Sequence, residues 1–279
     1  MMNSQFFSVD IEDWFQVENL KEAISKNDWP NIQLRVRENT IKMLNLLEKH
    51  NTKATFFVLG WIAEREKELI RNIYSRGHEI ASHGYGHDLV YKLSHLEFRE
   101  DIRKSKDIIE EIIQDRIYGY RAPSFSITDW ALDILKEEGY IYDSSLFLVS
   151  NHDRYSKVDI SLEGTNFIRV LPNGLKEVPI STNKFFAKSL PWGGGGYFRI
   201  LPYHIFKQGY IRSRNQSNGL IFYCHPWEID ADQPRVSNIK LSYQFRHYYG
   251  LESTERKLSR LLEDFKFTSV INGIKDGVK

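Results

Sequence analysis

The feature that most constrains the fold of this chain is a regular alternation of short apolar runs with longer amphipathic stretches. The apolar runs predict buried strands at 5–10, 54–59, 79–82, 118–121, 142–143 and 220–224. Apolar residues at helical spacing predict helices over 34–50, 63–75, 95–114, 128–138 and 254–265. Strands that alternate with helices indicate an α/β fold with a parallel sheet, either doubly wound or closed into a barrel. We favour the barrel.

This alternation gives way to loops and short strands between 151 and 218, a stretch that contains the glycine run 193–196. We expect an insertion that lies over the functional site. A chain of 279 residues suits one large domain of the α/β barrel class. We therefore predict a single domain, 1–279, with its barrel core at about 5–150 and 219–270.

The charge balance of the chain bears on its partners. Lys and Arg total 38 against 37 acidic residues, so the formal net charge is +1. Such a balance gives no electrostatic reason to expect nucleic acid or an anionic membrane as a partner. A neutral substrate fits best, and an aromatic content of 14% suggests either surfaces that stack on sugars or a wide core.

Cysteine usage and hydropathy bear on the compartment. The only cysteine, Cys224, excludes an intrachain disulfide and a multi-cysteine zinc site. Residues 1–15 lack the basic start and apolar run of a secretory signal. No stretch approaches the roughly 18 apolar residues of a spanning helix, so we predict no transmembrane segment. These features predict a cytoplasmic protein, with a membrane-associated protein as the alternative, and leave the oligomeric state open.

An acidic cluster follows the first predicted strand. Asp10, Glu12 and Asp13 place three carboxylates within four residues, and these would repel one another unless a cation or protonation relieves the charge. A metal ion is the simplest remedy. The alternative is the N-terminus of a helix, which collects acidic residues to complement its dipole.

Two histidines follow the third predicted strand. His83 and His87 lie four residues apart with glycines between them, and imidazoles at that spacing can converge on one metal ion. Neutral imidazole suits zinc and its first-row neighbours, and one added carboxylate would leave open positions for water and substrate, as a catalytic metal requires. Surface histidines without a ligand are the alternative interpretation.

Three further strand ends carry polar side chains. Arg121 ends one strand and is followed by Pro123, which stiffens the turn. Asp143 and His225 each end another strand. By itself Arg121 could be a structural salt-bridge partner, and a histidine after a buried strand is often a satisfied polar residue.

The five segments in this order resemble the polysaccharide deacetylase family, which is also called the NodB-homology domain or carbohydrate esterase family 4. The resemblance covers about residues 5–230. It implies a distorted (β/α) barrel and a hydrolase of linear amides that removes N-acetyl, or less readily O-acetyl, groups from a carbohydrate. It also implies a divalent metal cofactor, with zinc favoured and cobalt or nickel as alternatives, and an N-acetylated carbohydrate as the partner.

Carried over residue by residue, the resemblance implies a role for each motif. Asp10 would be the general base, His83 and His87 metal ligands, and His225 the general acid. Arg121 would orient Asp10.

Two further groups take roles by the same resemblance. Asp143 would tune or position His225, and the backbone amide of Ser124 would help to bind the oxyanion.

The first motif departs from the commonest family form, which has two adjacent aspartates. Alternation along an extended strand would put Asp10 and Glu12 on one face, whereas a turn after Ile11 would present Asp13 instead. Both Glu12 and Asp13 are therefore candidates for the acidic metal ligand. Ser124 also stands where the family usually has an aromatic residue, which removes one side chain from the sugar site.

The segment 190–199 and the start of the chain resemble a subgroup found with bacterial exopolysaccharide and exosortase loci, here with a C-terminal extension. Four glycines allow the backbone to approach a ligand closely, and Trp192, Tyr197 and Trp227 could stack on sugars. A surface loop without ligand contacts is the alternative.

Two rival functions differ in class. One is an amidohydrolase of a small cyclic amide or ureide, which trials of substrates would separate from a sugar deacetylase. The other is a non-catalytic carbohydrate-binding barrel. The presence of both Asp10 and His225 argues against a binder, which needs neither a base nor an acid.

Overall fold

The fold is taken from a computed structural model, which describes residues 4–147, 158, 167–185 and 188–276. The strands of the described residues are β1 (Ser4–Ile11), β2 (Thr55–Val58), β3 (Glu79–Ser82), β4 (Gly119–Tyr120), β5 (Tyr142–Asp143), β6 (Arg169–Val170), β7 (Lys176–Glu177), β8 (Thr182–Phe185), β9 (Lys188–Pro191) and β10 (Gly219–Cys224). The helices are α1 (Val36–Lys49), α2 (Gly60–Arg65), α3 (Lys67–Ser75), α4 (His95–Ile113), α5 (Asp129–Glu137), α6 (Gly195–Ile200), α7 (Tyr203–Ser217), α8 (Leu241–Tyr248), α9 (Leu251–Asp264) and α10 (Val270–Asp276).

Within the described residues, eight strands form one curled sheet in the order β10–β1–β2–β3–β4–β5–β7–β6. Neighbours are parallel except for β6 with β7, and β8 pairs with β9 as a separate antiparallel hairpin. The α/β class and the distorted barrel are confirmed, with the sheet curled as a half-barrel. The carboxyl ends of the parallel strands therefore meet at one edge.

The described residues 178–185 and 188–194 contact strands on both sides of this half-barrel. Near the start of this segment, the Ile180 amide donates to the Leu146 carbonyl at 2.8 Å, beyond the end of β5. The next residue, Ser181, accepts a hydrogen bond on Oγ from the amide of Ile221 in β10, also at 2.8 Å. These contacts tie the two sides of the curled sheet together through a loop and hairpin, in the stretch predicted to be an insertion.

The two faces of the sheet are buried against different layers. Phe7 and Val9 of β1 belong to the larger core that the outer helices cover. Phe6, on the opposite face, packs in the interior with residues of α10. Asp10 lies on the same face as Phe6, four residues further along β1. The inner face is therefore apolar at one end of the strands and charged at the other, where the site lies.

One predicted helix is two helices in the structure. The pattern predicts a single helix over 63–75, but Glu66 separates α2 from α3, because its φ of −123° and ψ of 44° are not helical. The apolar residues continue at helical spacing across this break. The pattern therefore gave no sign of it.

The prediction of loops and short strands over 151–218 lies outside the described residues at 151–157, 159–166 and 186–187. It was wrong for the short helix α6 and for α7, a helix of 15 residues. Its buried stripe is narrow and includes Gly209, a poor helix former that obscures the pattern. The glycine is needed because a Cβ at this position would lie 2.2 Å from the Trp192 ring. Close helix packing, which local propensity does not record, explains the error.

A buried histidine links the fold to pH. His78 is 4% exposed, its Nδ1 accepts a hydrogen bond from the Ala54 amide at 3.2 Å, and its ring packs edge-on against Phe56. Burial, together with the charges of Lys53 and Arg76, lowers the pKa of His78 to about 4. Between this value and the ordinary pKa of 6.5, the unfolded chain binds a proton that the folded chain does not.

We therefore expect stability to fall as the pH drops below about 6.5, and His78→Asn to make this fall shallower, by up to about 2 kcal/mol between pH 7 and 5. Asparagine keeps an acceptor for the Ala54 amide but does not titrate. The measurement is urea unfolding at both pH values with a chelator present. His204→Asn, on the exposed side of α7, is the control. An identical pH dependence in wild type and His78→Asn would refute the assignment.

Candidate metal centre and its surroundings

Three side chains converge at the carboxyl ends of β1 and β3. Glu12 Oε1 lies 2.9 Å from His83 Nε2 and 3.0 Å from His87 Nε2. All three side chains are buried, and one ligand atom from each lies within 4.8 Å of the others. This carboxylate and imidazole set can hold a divalent metal ion.

The turn between the two histidines is held from below by α4. Asp101 accepts hydrogen bonds from the amides of Tyr85 and Gly86, at 2.9 and 3.1 Å. His87 itself has a φ of 55°, in the left-handed region. The spacing of four residues therefore brings the rings together through a tight turn rather than a helix, and the turn depends on a carboxylate from another element.

The protonation pattern of His83 fits a metal ligand. Its Nδ1 donates to the Arg121 carbonyl at 2.8 Å, so in the neutral ring Nε2 carries no proton. An unprotonated nitrogen and the Glu12 carboxylate would then face each other at 2.9 Å, and this requires a cation or an extra proton between them. Burial alone would raise the pKa of Glu12, but the charges of His87 and His225 and the contacts of its carboxylate with the His83 and His87 rings hold this pKa well below its ordinary value.

The alternative acidic ligand, Asp13, is not brought to the histidines. Its carboxylate accepts hydrogen bonds from the amides of Trp14, Arg35 and Val36, at 2.8, 2.7 and 2.9 Å. Asp13 therefore satisfies free amides at the start of α1, where carboxylates are favoured. The structure corrects this part of the ligand prediction, because the chain continues its alternation through Glu12 before it turns.

Asp10 and Arg121 form a buried ion pair next to Glu12, His83 and His87, the three residues of the candidate metal site, which we call the metal cluster. Arg121 is fully buried, and its NH1 donates to Asp10 Oδ1 at 2.6 Å and to Ser8 Oγ at 2.9 Å. Its remaining guanidinium nitrogens donate to the carbonyl and hydroxyl of Ser144, both at 3.0 Å. Arg121 thus fixes one carboxylate oxygen of Asp10, and Asp10 still lines the cleft.

His225 follows β10 and faces both carboxylates. Its Nε2 lies 3.9 Å from Asp10 Oδ2 and 3.9 Å from Glu12 Oε1, and its Nδ1 lies 2.8 Å from Glu228 Oε1. Burial would lower the pKa of His225, but Glu12, Glu228 and Asp10 together raise this pKa to about 9. The three carboxylates therefore favour the protonated form of His225.

The structure corrects the predicted partner of His225. Asp143 accepts from the hydroxyl and amide of Ser145, at 2.6 and 3.0 Å, and Ser145 Oγ in turn accepts from the Ala122 amide at 2.7 Å. Asp143 thus supports the turn after Arg121, whereas Glu228 is the carboxylate on His225. Sequence reasoning missed Glu228, although it lies only three residues after His225 in the same motif.

The predicted sugar-stacking residues separate in the structure. Trp192 was wrongly predicted: it is 7% exposed, stacks on Phe206, and donates from Nε1 to the Phe206 carbonyl at 2.9 Å. Tyr197 lines the cleft and is 43% exposed. Trp227 also borders the cleft, but it is 6% exposed and its ring stacks on His225 and His247, with centroids 5.3 and 4.5 Å apart. Within the glycine run, a Cβ on Gly194 would lie 2.0 Å from the Tyr223 carbonyl oxygen, so this glycine permits close contact with β10.

The cleft over the metal cluster has a volume of about 710 Å³. Its lining includes Ser124, whose φ of 51° places it in the left-handed region. Leu241 and Phe245 of α8 also line the cleft, and both side chains are exposed. A polar floor under a largely apolar rim suits a ligand with both polar and apolar faces, such as a sugar.

A larger cavity of about 780 Å³ adjoins this cleft and shares four lining residues with it: Arg199, Ile200, Leu241 and Phe245. Its lining contains none of the three metal-cluster residues.

Among the described residues, no helix is both long and apolar enough to cross a bilayer.

Two family models match the chain. Residues 24–142 match the model described as polysaccharide deacetylase, and residues 144–275 match a domain of unknown function, DUF3473. A peptidoglycan deacetylase from Helicobacter pylori is 28% identical over 142 residues, which cover 48% of each protein. A peptidoglycan-N-acetylglucosamine deacetylase from Bacillus cereus is also 28% identical, over 137 residues. The chain thus spans about half the length of these curated relatives.

The fold is similar to a crystal structure of a Mycobacterium smegmatis protein assigned to the polysaccharide deacetylases. The TM-score is 0.64 at 18% identity, and the match covers 99% of this chain and 89% of the other. At this identity the likeness concerns the fold alone. It extends over both parts of the chain that the two family models match.

The metal cluster generates a direct prediction. We expect wild type to bind about one divalent ion per chain and the His83→Ala, His87→Ala double variant to bind none, because two of three ligands are lost. Asp13→Asn should keep the metal, since Asp13 contacts the start of α1. Elemental analysis after zinc reconstitution and gel filtration measures this. Loss of metal in Asp13→Asn, with retained helical content, would contradict the ligand assignment.

Proposed function

We propose, from the premise that residues 24–142 carry a polysaccharide deacetylase domain, that this protein is a metal-dependent hydrolase of N-acetyl groups on a carbohydrate. One observation carries the proposal: Glu12, His83 and His87 share a single cleft with the Asp10 and Arg121 pair and with His225. A metal-ligand set, a candidate base and a candidate acid around one cavity are what amide hydrolysis requires.

The metal would be held by Glu12, His83 and His87, and the two imidazoles favour zinc over calcium or magnesium, with cobalt or nickel as alternatives. When bound there, a divalent cation supplies Lewis-acid polarisation of the acetyl carbonyl and lowers the pKa of a water molecule. The remaining chemistry belongs to the side chains around it.

Asp10 acts as the general base, because Arg121 occupies one of its carboxylate oxygens and the other faces the cleft and His225. It takes the proton from the water molecule whose oxygen bonds to the acetyl carbon. The Ser124 amide helps to stabilise the oxyanion that develops on the carbonyl oxygen. His225 then gives the proton on Nε2 to the leaving nitrogen as the carbon–nitrogen bond breaks, so the products are acetate and a free amine.

The substrate is proposed to be an N-acetylated oligosaccharide or glycan precursor, with Tyr197 as the exposed aromatic surface of the cleft. The relatives named as deacetylases of peptidoglycan and chitin support a glycan substrate. The exopolysaccharide subgroup, the single domain over 1–279 and the cytoplasmic location stay predictions.

A small cyclic amide and a purely binding function are the rival proposals. The Asp10–Arg121 pair argues against a binder. Desolvation of two buried charges offsets most of their attraction, so such a pair contributes little net stability, and a binder would have no reason to keep it. Assays with a cyclic ureide beside acetylated sugars separate the two hydrolase functions.

The proposed activity predicts acetate release from chitooligosaccharides by the zinc-loaded protein. Asp10→Asn should lower kcat by about 100-fold or more, because the base is lost while the hydrogen bond to Arg121 can remain. Asp13→Asn serves as a control for a neighbouring carboxylate outside the cleft. Metal-loaded wild type that releases no acetate from any acetylated sugar tested would overturn the proposed function.

The pH profile of kcat/KM tests the assignment of the acid. We expect a bell shape, with activity lost at alkaline pH as His225 loses its proton. Glu12 contributes strongly to the raised pKa of His225, and a bound cation offsets its negative charge, so the alkaline limb should lie below pH 9. His225→Ala should remove this limb from the residual activity. An unchanged alkaline limb in His225→Ala would rule out this residue as the acid.

A further inference from the structure

We propose that Glu228 and Arg199 position His225 as the proton donor, so that the C-terminal part of the chain completes the catalytic arrangement. The inference rests on the proposed function, in which His225 is the acid. Neither residue was given a role by the sequence analysis, and Arg199 and Glu228 both lie in the part that matches the domain of unknown function.

Glu228 holds His225 through Nδ1, the ring nitrogen opposite the one that lies near Asp10 and Glu12. Its Oε1 accepts from His225 Nδ1 at 2.8 Å and from the His225 amide at 3.1 Å, within the turn Pro226–Ile229. A proton on Nδ1 that is bound this way leaves Nε2 pointing towards Asp10 and Glu12. The Trp227 ring stacks on the imidazole, with centroids 5.3 Å apart and planes 25° apart, which restricts its rotation.

Arg199 holds the other oxygen of the same carboxylate. Its Nε donates to Glu228 Oε2 at 2.7 Å, and the side chains of the two residues are 3% and 1% exposed. Burial alone would raise the pKa of Glu228. The hydrogen bonds and positive charges of His225 and Arg199 outweigh burial, so the pKa of Glu228 lies below its ordinary value and the carboxylate stays ionised. Glu228 therefore presents a negative charge to the imidazole.

The remaining donors of Arg199 bind the end of α8. NH1 donates to the carbonyls of His247 and Tyr249, both at 2.9 Å, and NH2 donates to the Arg246 carbonyl at 2.6 Å. The same helix lines the cleft with Leu241 and Phe245. One buried guanidinium thus connects α6, the wall of the cleft and the carboxylate on His225.

The contacts of Arg199, Glu228 and His225 are those expected around a positioned proton donor, and not those of a salt bridge that only stabilises the fold. A buried ion pair generally contributes little net stability compared with apolar residues of the same size. Here its carboxylate contacts the nitrogen opposite the one that faces the cleft. A carboxylate in this place fixes the tautomer of an imidazole and stabilises the imidazolium form. Glu228 and Arg199 are therefore positioning residues, which act through His225.

Proton donation matters only when the leaving group needs a proton. The nitrogen of an acetamido sugar must be protonated as its bond to carbon breaks, whereas 4-nitrophenolate leaves an acetate ester as a stable anion. A residue that acts through His225 should therefore matter for the amide and not for the aryl ester. Loss of metal or of folding would affect both substrates.

The experiment compares zinc-loaded wild type and Glu228→Gln on a chitooligosaccharide and on 4-nitrophenyl acetate. Glutamine offers an amide group at one end, so it cannot accept from both His225 and Arg199. We expect kcat for the oligosaccharide to fall by about 100-fold and kcat for the ester to fall by less than about 3-fold. Arg199→Lys, which keeps the charge but loses most of the contacts, should shift the ratio of the two rates in the same direction.

Glu79→Gln is the matched control. This carboxylate also accepts three hydrogen bonds, from Thr55, Tyr142 and the Ile271 amide, but it lies at the opposite end of β3 from His83. Its replacement should leave the ratio of the two rates unchanged.

A double variant makes the test independent of the size of the single effects. In a His225→Ala background, Glu228→Gln should cause no further loss on the oligosaccharide, because residues that act as a unit are not additive. Equal losses on both substrates in Glu228→Gln and Arg199→Lys, or a further loss in the double variant, would overturn this inference. Wild type inactive on the oligosaccharide would instead overturn the proposed function on which it rests.

Discussion

Burial of three carboxylates within four residues, at the carboxyl end of β1, is the constraint on which the rest of the site depends. Asp10, Glu12 and Asp13 are each at most 3% exposed, and the charge of each must be balanced. The three solutions differ. Arg121 pairs with Asp10, the amides at the start of α1 satisfy Asp13, and two imidazoles converge on Glu12. Glu12 is thus the carboxylate that is left for a cation.

The partners of these carboxylates arrive from different strands, and the parallel sheet explains how. Each of β1, β3, β4 and β10 ends at the same edge, so residues up to 215 positions apart in sequence come together there, from Asp10 to His225. The opposite end of the sheet interior is closed by α10 against Phe6. The polar cluster can be buried because the apolar half of the interior anchors the strands beneath it.

The two parts of the chain contribute different elements of the site. The part that matches the polysaccharide deacetylase model holds the histidine pair and Arg121, whereas His225, Glu228 and Arg199 lie in the part that matches the domain of unknown function. The second part also supplies α8 as a wall of the cleft. A site proposed to hydrolyse acetamido sugars therefore depends on both parts being folded together.

The sequence by itself determined the α/β class, the positions along the chain of the strands that carry polar ends, and the segments whose polar residues meet at the cleft. These follow from periodicity and from motifs at strand ends, which are local properties. Only the tertiary structure decided between Glu12 and Asp13, replaced Asp143 with Glu228 beside His225, and placed Trp192 in the core. Each of these outcomes depends on which distant backbone amide, guanidinium or helix fills the space next to a side chain, and such contacts leave no trace in the local pattern of residues.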